Sequence, residues 1–303
     1  CDDIVKILFA ENPGVVIQVA DKHKAEVKKI LEDAGVGYVK IGVPTEERHI
    51  LATLHDATYQ FGIDYLRDVW YSTSYLLDRK QSMNGCAKKR FENYKQQPLE
   101  FVFDKSFTGK LSQFGLDPNR RTPSGIKAAI IREKGTNGER EMAYMLYLAG
   151  FDVKDVTMTD LISGRETLED INMVVYCGGF SNSDVLGSAK GWAGSFLFNP
   201  KAKAALDNFY AREDTLSLGV CNGCQLMMEL GLITPEDKKK GKMLHNDSHK
   251  FESNFLGVTV PMNRSVMFGS LSGSKLGIWV AHGEGKFSLP YDEDKYNVVA
   301  KYS

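Results

Sequence analysis

From residue 128 onward, apolar positions recur at strand and helix periods in regular alternation. The predicted order is strand 128–133, helix 139–149, strand 151–156, helix 161–168, strand 173–177, helices 192–198 and 201–211, strand 215–220, a helix from residue 222, and strands 258–261 and 276–281. Alternating strands and helices predict an α/β fold, a parallel sheet with helices on both faces. In such sheets the functional side chains gather at the carboxyl ends of the strands.

The first 80 residues follow a different pattern, typical of an α+β unit. The predicted elements are strand 15–20, helix 22–34, strands 38–43 and 49–54, and helix 63–77. The last helix carries Leu66, Trp70, Tyr71 and Leu77. We interpret this aromatic face as core packing against the preceding strands, because aromatic stripes at helical spacing are usually buried.

Residues 81–125 are rich in Gly, Pro, Asn and basic side chains, with one short apolar run at 99–103, and they predict a linker. The predicted division is therefore 1–80, 81–125 and 126–303. The chain begins without an initiator Met, and residues 296–302 read as a strand with no closing turn. We expect a piece of a longer polypeptide, with the last domain truncated at its C-terminus.

Composition narrows the class of protein. Of 303 residues, 43% are apolar and 25% charged, as in ordinary globular domains. A net charge of −1, from 38 basic and 39 acidic residues, gives no basic surface for nucleic acid or an anionic membrane. No apolar run has membrane-spanning length. An odd count of five cysteines indicates free thiols in a reducing compartment, and we expect the cytoplasm.

The strand at 215–220 and the helix after it place Cys221 on a strand-to-helix turn. Unpaired N–H groups and the positive end of the helix dipole favour a thiolate at such a position. Gly219 and Gly223 flank Cys221 and form Gly-x-Cys-x-Gly, the thiol version of the nucleophile elbow. The pattern predicts that Cys221 is a covalent nucleophile.

Gly178 and Gly179 follow the strand at 173–177, so their backbone can approach Cys221 closely. Their N–H groups, together with that of Asn222, are candidate donors to an oxyanion formed at Cys221. A cysteine acyl-transfer enzyme also needs a base held by a carboxylate. On sequence alone, His282 followed by Glu284 is such a pair.

Other interpretations of the thiols stay open at this point. Cys221 and Cys224 form a C-x-x-C, which is compatible with a redox pair or with half of a zinc site that includes Cys177. His245 and His249 form a single H-x-x-x-H in a polar loop. A non-catalytic docking or sensor module, in which the thiol is merely reactive, is a further alternative.

Four ordered motifs carry a resemblance to a known family. GVCNGCQ matches the signature of class I, triad-type glutamine amidotransferases. Together with IREKGTNGEREMA, CGGFSNSDVLGSAKGWAGSFLFN and AHGEGKF, it resembles the glutaminase domains of large, single-chain phosphoribosylformylglycinamidine synthases of purine biosynthesis. LFAENPGVVIQV and the helix around Trp70 resemble the end of the synthetase half. The resemblance implies a flavodoxin-like, parallel-sheet amidotransferase domain preceded by the α+β tail of a synthetase domain.

The resemblance also implies a ligase whose glutaminase part uses Cys221 to release ammonia from glutamine through a thioester. Backbone N–H groups around Gly179, Phe180 and Asn222 would form the oxyanion hole, and Gln225 would help hold glutamine. Ammonia would pass to the synthetase domain of the same polypeptide, which uses ATP and Mg²⁺. No cofactor and no metal are expected in this chain itself.

In this family the triad His and Glu come from a later His-Pro-Glu segment, which does not precede Ser303. The resemblance therefore removes His282 and Glu284 from the role of base and leaves them near the site, and it implies negligible activity of the chain alone. Asn182-Ser183 stands where the family has Tyr-Gly, and Lys134 and Thr136 replace Gln and Val. These departures concern contacts near the oxyanion loop.

Overall fold

The computed structural model describes residues 3–96 and 99–303. Two compact units are distinguished, Cys1–Leu77 and Asp78–Ser303. No helix within the described residues combines the length and the apolar character needed to cross a membrane.

The first unit contains short helices and one hairpin. Its elements are α1 (Ile4–Leu8), a 3₁₀ turn (Asp21–His23), α2 (Lys24–Asp33), β1 (His49–Leu54), β2 (Ala57–Gly62) and the start of α3 (Ile63–Gln81). β1 and β2 pair antiparallel, from His49 opposite Gly62 to Leu54 opposite Ala57. The predicted helices 22–34 and 63–77 and the strand 49–54 are confirmed, and β2 was missed.

Two predictions for this unit are wrong. Residues 15–20 and 38–43 form no strand, because no neighbouring segment among the described residues accepts and donates the ladder hydrogen bonds that define one. The aromatic face of α3 is not a core, since Trp70 is 82% exposed and none of residues 3–77 is buried. A two-stranded hairpin has too little surface to cover that helix.

The second unit contains the α/β domain. Its helices are α4 (Cys86–Glu92), α5 (Glu139–Leu148), α6 (Met158–Ser163), α7 (Lys190–Leu197), α8 (Pro200–Tyr210) and α9 (Asn222–Leu230). Its strands are β3 (Lys127–Arg132), β4 (Thr136–Asn137), β5 (Asp152–Thr157), β6 (Met173–Tyr176), β7 (Gly178–Gly179), β8 (Leu216–Gly219), β9 (Lys242–Leu244), β10 (Glu252–Thr259), β11 (Lys275–His282), β12 (Lys286–Ser288) and β13 (Lys301–Tyr302).

Four strands form the predicted parallel sheet, in the order β5-β3-β6-β8. Successive residues of β3 point into opposite cores: Ala129 and Ile131 pack on one face of the sheet, and Ala128 and Ile130 pack on the other. Burial on both faces explains why the two central strands, β3 and β6, carry continuous apolar runs rather than alternating ones. The mixed α/β fold with a parallel sheet is thereby confirmed.

The larger core cluster, on the face of the sheet covered by α6 to α9, contains Tyr176, Trp192, Phe196 and Phe209, all buried. The rings of Trp192 and Phe196 meet Tyr176 edge-on, with centroids 6.1 and 6.3 Å away. Full burial of such a ring stabilises the fold by about 1.5–3 kcal/mol. This core supports the strand, β6, that leads into the candidate site.

The sequence misplaced one helix of the domain. The predicted helix 161–168 is observed as α6, earlier in the chain, because Thr157 and Asp160 form a capping box and Gly164, at φ 80°, ends the helix. Elsewhere, the run at 99–103 makes only a bridge from Val102 to Lys275, and strand 296–302 is reduced to β13. Residues 86–92 of the predicted linker form α4.

A second, antiparallel sheet follows the parallel one, in the order β11-β10-β13. Glu252 at the start of β10 lies opposite His282 at the end of β11. β12 pairs with β9 and β4 with β7 in two small ladders. The β4–β7 ladder lies just beyond the carboxyl ends of β3 and β6, where the candidate site is found.

Candidate active site

Parallel pairing brings two predicted loops together. β6 and β8 are neighbours, with Tyr176 opposite Gly219, so the segments that follow them, Gly178-Gly179 and Cys221, emerge side by side. A β-carbon on Gly178 would lie 3.3 Å from Cys221 Cβ. The predicted juxtaposition at the carboxyl edge of the sheet is therefore observed.

Cys221 occupies the turn between β8 and α9 in a conformation rare for non-glycine residues, with φ 52° and ψ −108°. Such backbone strain costs about 1–3 kcal/mol and is concentrated at functional sites. The thiol is exposed, and its Sγ lies 3.6 Å from the carbonyl oxygen of Ala281. The turn thus presents one thiol outward, as a nucleophile elbow does.

Gly219 and Gly223, the two glycines that flank Cys221, lie too close to neighbouring backbone atoms for any side chain. A β-carbon on Gly219 would lie 2.6 Å from Gly223 O, and one on Gly223 would lie 2.6 Å from the carbonyl carbon of Tyr176 and closer still to its oxygen. Contacts below 3.0 Å with backbone atoms do not occur at real β-carbons. The Gly-x-Cys-x-Gly spacing is therefore what allows α9 to start directly against β6.

The β4–β7 ladder determines which oxyanion donors are free. The Phe180 N–H donates to Gly135 O at 3.0 Å, so Phe180, expected from the resemblance to be a donor, is engaged elsewhere in this conformation. Bonded and non-bonded pairs alternate along an antiparallel ladder. The neighbouring pair, Thr136–Gly179, is therefore of the non-bonded kind. The donor roles expected of the Gly179 and Asn222 N–H groups stay predictions.

Gln225 lies on α9 one turn after Cys221 and is buried. Its Oε1 accepts from Asn222 Nδ2 at 2.8 Å, and its Nε2 donates to Glu284 O at 2.8 Å. Both ends of the amide are thus used within the protein. Gln225 thereby connects α9 to the segment after β11, and its role in holding glutamine stays a prediction.

The expected pairing of His282 with Glu284 is not formed. His282 Nδ1 lies 2.9 Å from Asn246 Oδ1, and Asn246 Nδ2 donates to His282 O at 2.7 Å. Burial lowers the pKa of His282, against the opposing charge of Glu252. Because an amide oxygen only accepts, it holds the proton on Nδ1 and leaves Nε2 as an acceptor.

Glu284 is held by other groups. Ser188 donates a short hydrogen bond to its Oε2, and His245 Nδ1 lies 3.5 Å from its Oε1. The two residues stay close to the site because Cys221 contacts the residue before His282. Within the described part of the chain, the side-chain partner of His282 is Asn246 and that of Glu284 is Ser188. The sequence spacing therefore predicted their position and not their pairing, because the chain bends at residues 283–284 instead of continuing as a strand that would place both side chains on one face.

The remaining thiols differ from Cys221. Burial raises the pKa of Cys177 to about 11, with Glu139 and Asp155 adding to the effect, and burial together with Cys221 raises the pKa of Cys224 to about 11. A thiol of that pKa is almost wholly protonated near neutral pH and is a poor partner for disulfide exchange. Within residues 3–96 and 99–303, no three His, Cys, Asp or Glu side chains are grouped to hold a metal ion.

Sequence reasoning missed three polar residues that organise the site: the side chain of Asn222, Asp184 and Asn246. Asn222 and Asn246 are buried. The position of a polar residue directly after the predicted nucleophile was a usable signal for Asn222. Asn246 had no such signal, because its partner His282 is distant along the chain and meets it only in the folded state.

Comparison with known proteins identifies the family of the chain. Residues 125–303 match the protein-family sequence model described as the CobB/CobQ-like glutamine amidotransferase domain. A phosphoribosylformylglycinamidine synthase from Drosophila melanogaster is 36% identical over 294 residues, which cover 93% of this chain and 21% of that protein. A probable chloroplastic/mitochondrial phosphoribosylformylglycinamidine synthase from Arabidopsis thaliana is 36% identical over 299 residues, covering 95% of this chain and 21% of that protein.

The chain thus spans 21% of the length of each of these two relatives. Among solved structures, that of PurLQS from Thermotoga maritima aligns with 59% of this chain and 74% of its own, at 28% identity and a TM-score of 0.45.

Proposed function

The chain belongs to the CobB/CobQ-like glutamine amidotransferase domain family, and from this premise we propose that Cys221 is the nucleophile of a glutaminase. The Cys221 thiolate adds to the side-chain amide carbon of glutamine. The C–N bond then breaks, the nitrogen leaves with an added proton as ammonia, and a γ-glutamyl thioester remains. Water cleaves the C–S bond, which yields glutamate and restores the thiol.

One observation carries this proposal: an exposed cysteine, held at positive φ, on a strand-to-helix turn that only glycines at both flanks permit. A structural cysteine would be buried, as Cys177 is. Backbone strain at an exposed thiol has no packing benefit. It is useful where the thiol must face a substrate while the N–H groups beside it face the developing charge.

Gly179 and Asn222 are proposed to donate their backbone N–H groups to the oxyanion. Loss of one such donor typically costs about 3 kcal/mol of transition-state stabilisation. His282 and Glu284 are proposed to line the site rather than to act as base, because the Cys221 thiol donates to Ala281 O and the Glu284 carboxylate is bound by Ser188, with His245 nearby, so that the thiol and the carboxylate are each paired with groups other than the His282 ring.

The names of the two relatives support a wider proposal, that this glutaminase supplies ammonia to a phosphoribosylformylglycinamidine synthase. Its partner would be a synthetase domain, with residues 1–80 as the end of that domain and 81–125 as a linker. The boundary between the compact units and the start of the family match at residue 125 support this division.

ATP and Mg²⁺ would serve the synthetase. Within the described residues, no three His, Cys, Asp or Glu side chains are grouped so that they could hold the Mg²⁺.

We propose a reducing compartment, which the four free cysteines at positions 86, 177, 221 and 224 support. The cytoplasm fits this condition. The Arabidopsis relative is named chloroplastic/mitochondrial, so localisation of a tagged chain is the direct test.

A glutamine-like affinity reagent tests the glutaminase proposal without turnover. A chloroketone analogue of glutamine should alkylate Cys221, and added glutamine should protect it, as read by peptide mass spectrometry. Cys221→Ala should abolish the modification, and the matched Cys86→Ala should not. Labelling that glutamine does not slow, or that falls equally on Cys86, would refute the proposal.

A further inference from the structure

The loop after β7 is strained at three consecutive residues. Asn182, Ser183 and Asp184 have φ of 51°, 55° and 49°, all in the left-handed region. None is glycine, and each such residue costs about 1–2 kcal/mol. This loop continues directly from Gly179, the proposed oxyanion donor. Contacts from outside the loop must therefore hold it in place.

The Asn182 N–H donates to Lys134 O at 2.7 Å, and the side-chain contacts to both ends of the turn come from the carboxamide of Asn222, which is fully buried. Asn222 Oδ1 accepts from the Ser181 N–H at 3.0 Å, and Asn222 Nδ2 donates to Asp184 Oδ1 at 3.2 Å. The same Nδ2 donates to Gln225 Oε1 at 2.8 Å. One side chain thus binds both ends of the strained turn and the helix that carries Cys221.

The charges in this network favour one orientation of the amide. Asp184 presents only acceptors when ionised, and its Oδ1 also accepts from the Ala189 N–H at 3.0 Å. Only a side chain with an acceptor on one branch and a donor on the other satisfies Ser181 and Asp184 together. Asparagine has this pair of groups, whereas aspartate of the same shape places a second carboxylate against Asp184.

We propose that the Asn222 side chain is a positioning residue that holds the loop 179–184 in the geometry required for oxyanion stabilisation. This inference rests on the proposed glutaminase function. The backbone N–H of Asn222 donates to the oxyanion, and its carboxamide fixes the loop that brings the second donor, the Gly179 N–H. A shift of that donor by a fraction of an ångström weakens a hydrogen bond that acts only in the transition state.

Asn222→Asp tests this role while preserving shape and the acceptor for Ser181. The rate of Cys221 labelling by the chloroketone analogue of glutamine should fall about tenfold or more, because that reaction uses the oxyanion donors. The rate with iodoacetamide, whose iodide the thiol displaces directly without forming a tetrahedral oxyanion, should change little. The ratio of the two rates is the measurement, and a thermal unfolding curve of each variant confirms that it is folded.

The double variant Asn222→Asp with Asp184→Asn exchanges donor and acceptor and should recover most of the lost ratio. The matched control is Asn172→Asp, because Asn172 likewise accepts from a backbone N–H, that of Lys127, and donates to an aspartate, Asp214 at 3.3 Å, away from the site. If the inference is correct, this control variant should have the same ratio of labelling rates as the wild type.

Asp184→Ala removes the loop-side acceptor and should lower the same ratio, which keeps the inference testable if Asn222→Asp does not fold. A ratio in folded Asn222→Asp equal to that of the wild type, or no recovery in the double variant, overturns the positioning role. Wild-type labelling without protection by glutamine overturns the glutaminase proposal instead, so the two failures are distinguishable.

Discussion

Substitution of Gly223 by alanine isolates the close approach of α9 to β6. Alanine is normally the better helix residue, by about 1 kcal/mol. Here its β-carbon would lie 2.6 Å from the Tyr176 carbonyl carbon and 2.7 Å from Tyr176 Cβ, whereas ordinary contact begins at 3.4 Å. Helix and strand must separate by at least about 0.8 Å, and Tyr176 is fully buried and cannot rotate away.

Overpacking of this kind costs about 1–3 kcal/mol, and more where the obstacle is backbone. We expect a net loss of about 3 kcal/mol for Gly223→Ala, which for a domain of this size lowers the unfolding temperature by roughly 6–12 °C. The assay is thermal unfolding followed by circular dichroism, so the result does not depend on enzymatic activity.

Gly194→Ala is the matched control, because Gly194 also lies within a helix, α7. Its β-carbon would meet nothing closer than Phe198 Cδ2 at 3.7 Å. This variant should unfold about 2–4 °C above the wild type, as the helix propensity predicts. Equal unfolding temperatures for the wild type and Gly223→Ala would contradict the reasoning, since they would mean that α9 does not press against β6.

Three further predictions concern the turn, the histidine and the thiols. Ser183→Gly should raise the free energy of unfolding by up to about 1 kcal/mol, since it relieves the left-handed φ of 55° but adds unfolded-state entropy; urea denaturation measures it. The lowered folded-state pKa of His282 means that its contribution is present above the unfolded pKa near 6.5 and is lost as pH falls below it. His282→Gln should therefore lose less stability than the wild type between about pH 7.5 and 5.5 in thermal unfolding; an equal loss would remove His282 as the cause. Iodoacetamide near neutral pH should modify Cys221 well before Cys177 and Cys224, whose pKa values are about 11, and mass spectrometry of tryptic peptides would reveal an opposite order.

The first unit marks where sequence reasoning failed. The apolar runs at 15–20 and 38–43 have strand composition, yet they form no strand. The helix that carries Trp70 has an aromatic face, yet the face is exposed. Composition predicts what a segment prefers when partners are available. Whether a neighbouring strand is present to pair with a segment depends on the rest of the fold. Residues 3–77 supply no such strand for these two segments.

The prediction from sequence was more accurate for the α/β domain, because the sequence patterns that predict its strands and helices are local and repeated. The two central strands, β3 and β6, carry continuous apolar runs, and each strand of the parallel sheet precedes a helix of regular period, apart from the displaced α6. Capping by Thr157 and Asp160 and the left-handed Gly164 moved that helix toward the N-terminus. Caps act through single side chains, so periodicity alone places helix ends poorly.

By itself, the sequence determined the position of Cys221 on its elbow and the proximity of Gly178 to it, because both follow from strand ends and from glycine spacing within a few residues. Only the tertiary structure decided the hydrogen-bond partners. In the folded chain the Phe180 N–H donates to Gly135 O, and His282 hydrogen-bonds to Asn246 rather than to Glu284. The Asn222 side chain lies between α9 and the strained loop. Local geometry depends on φ, ψ and near neighbours, whereas a hydrogen-bond donor takes whichever acceptor the folded chain brings within about 3 Å.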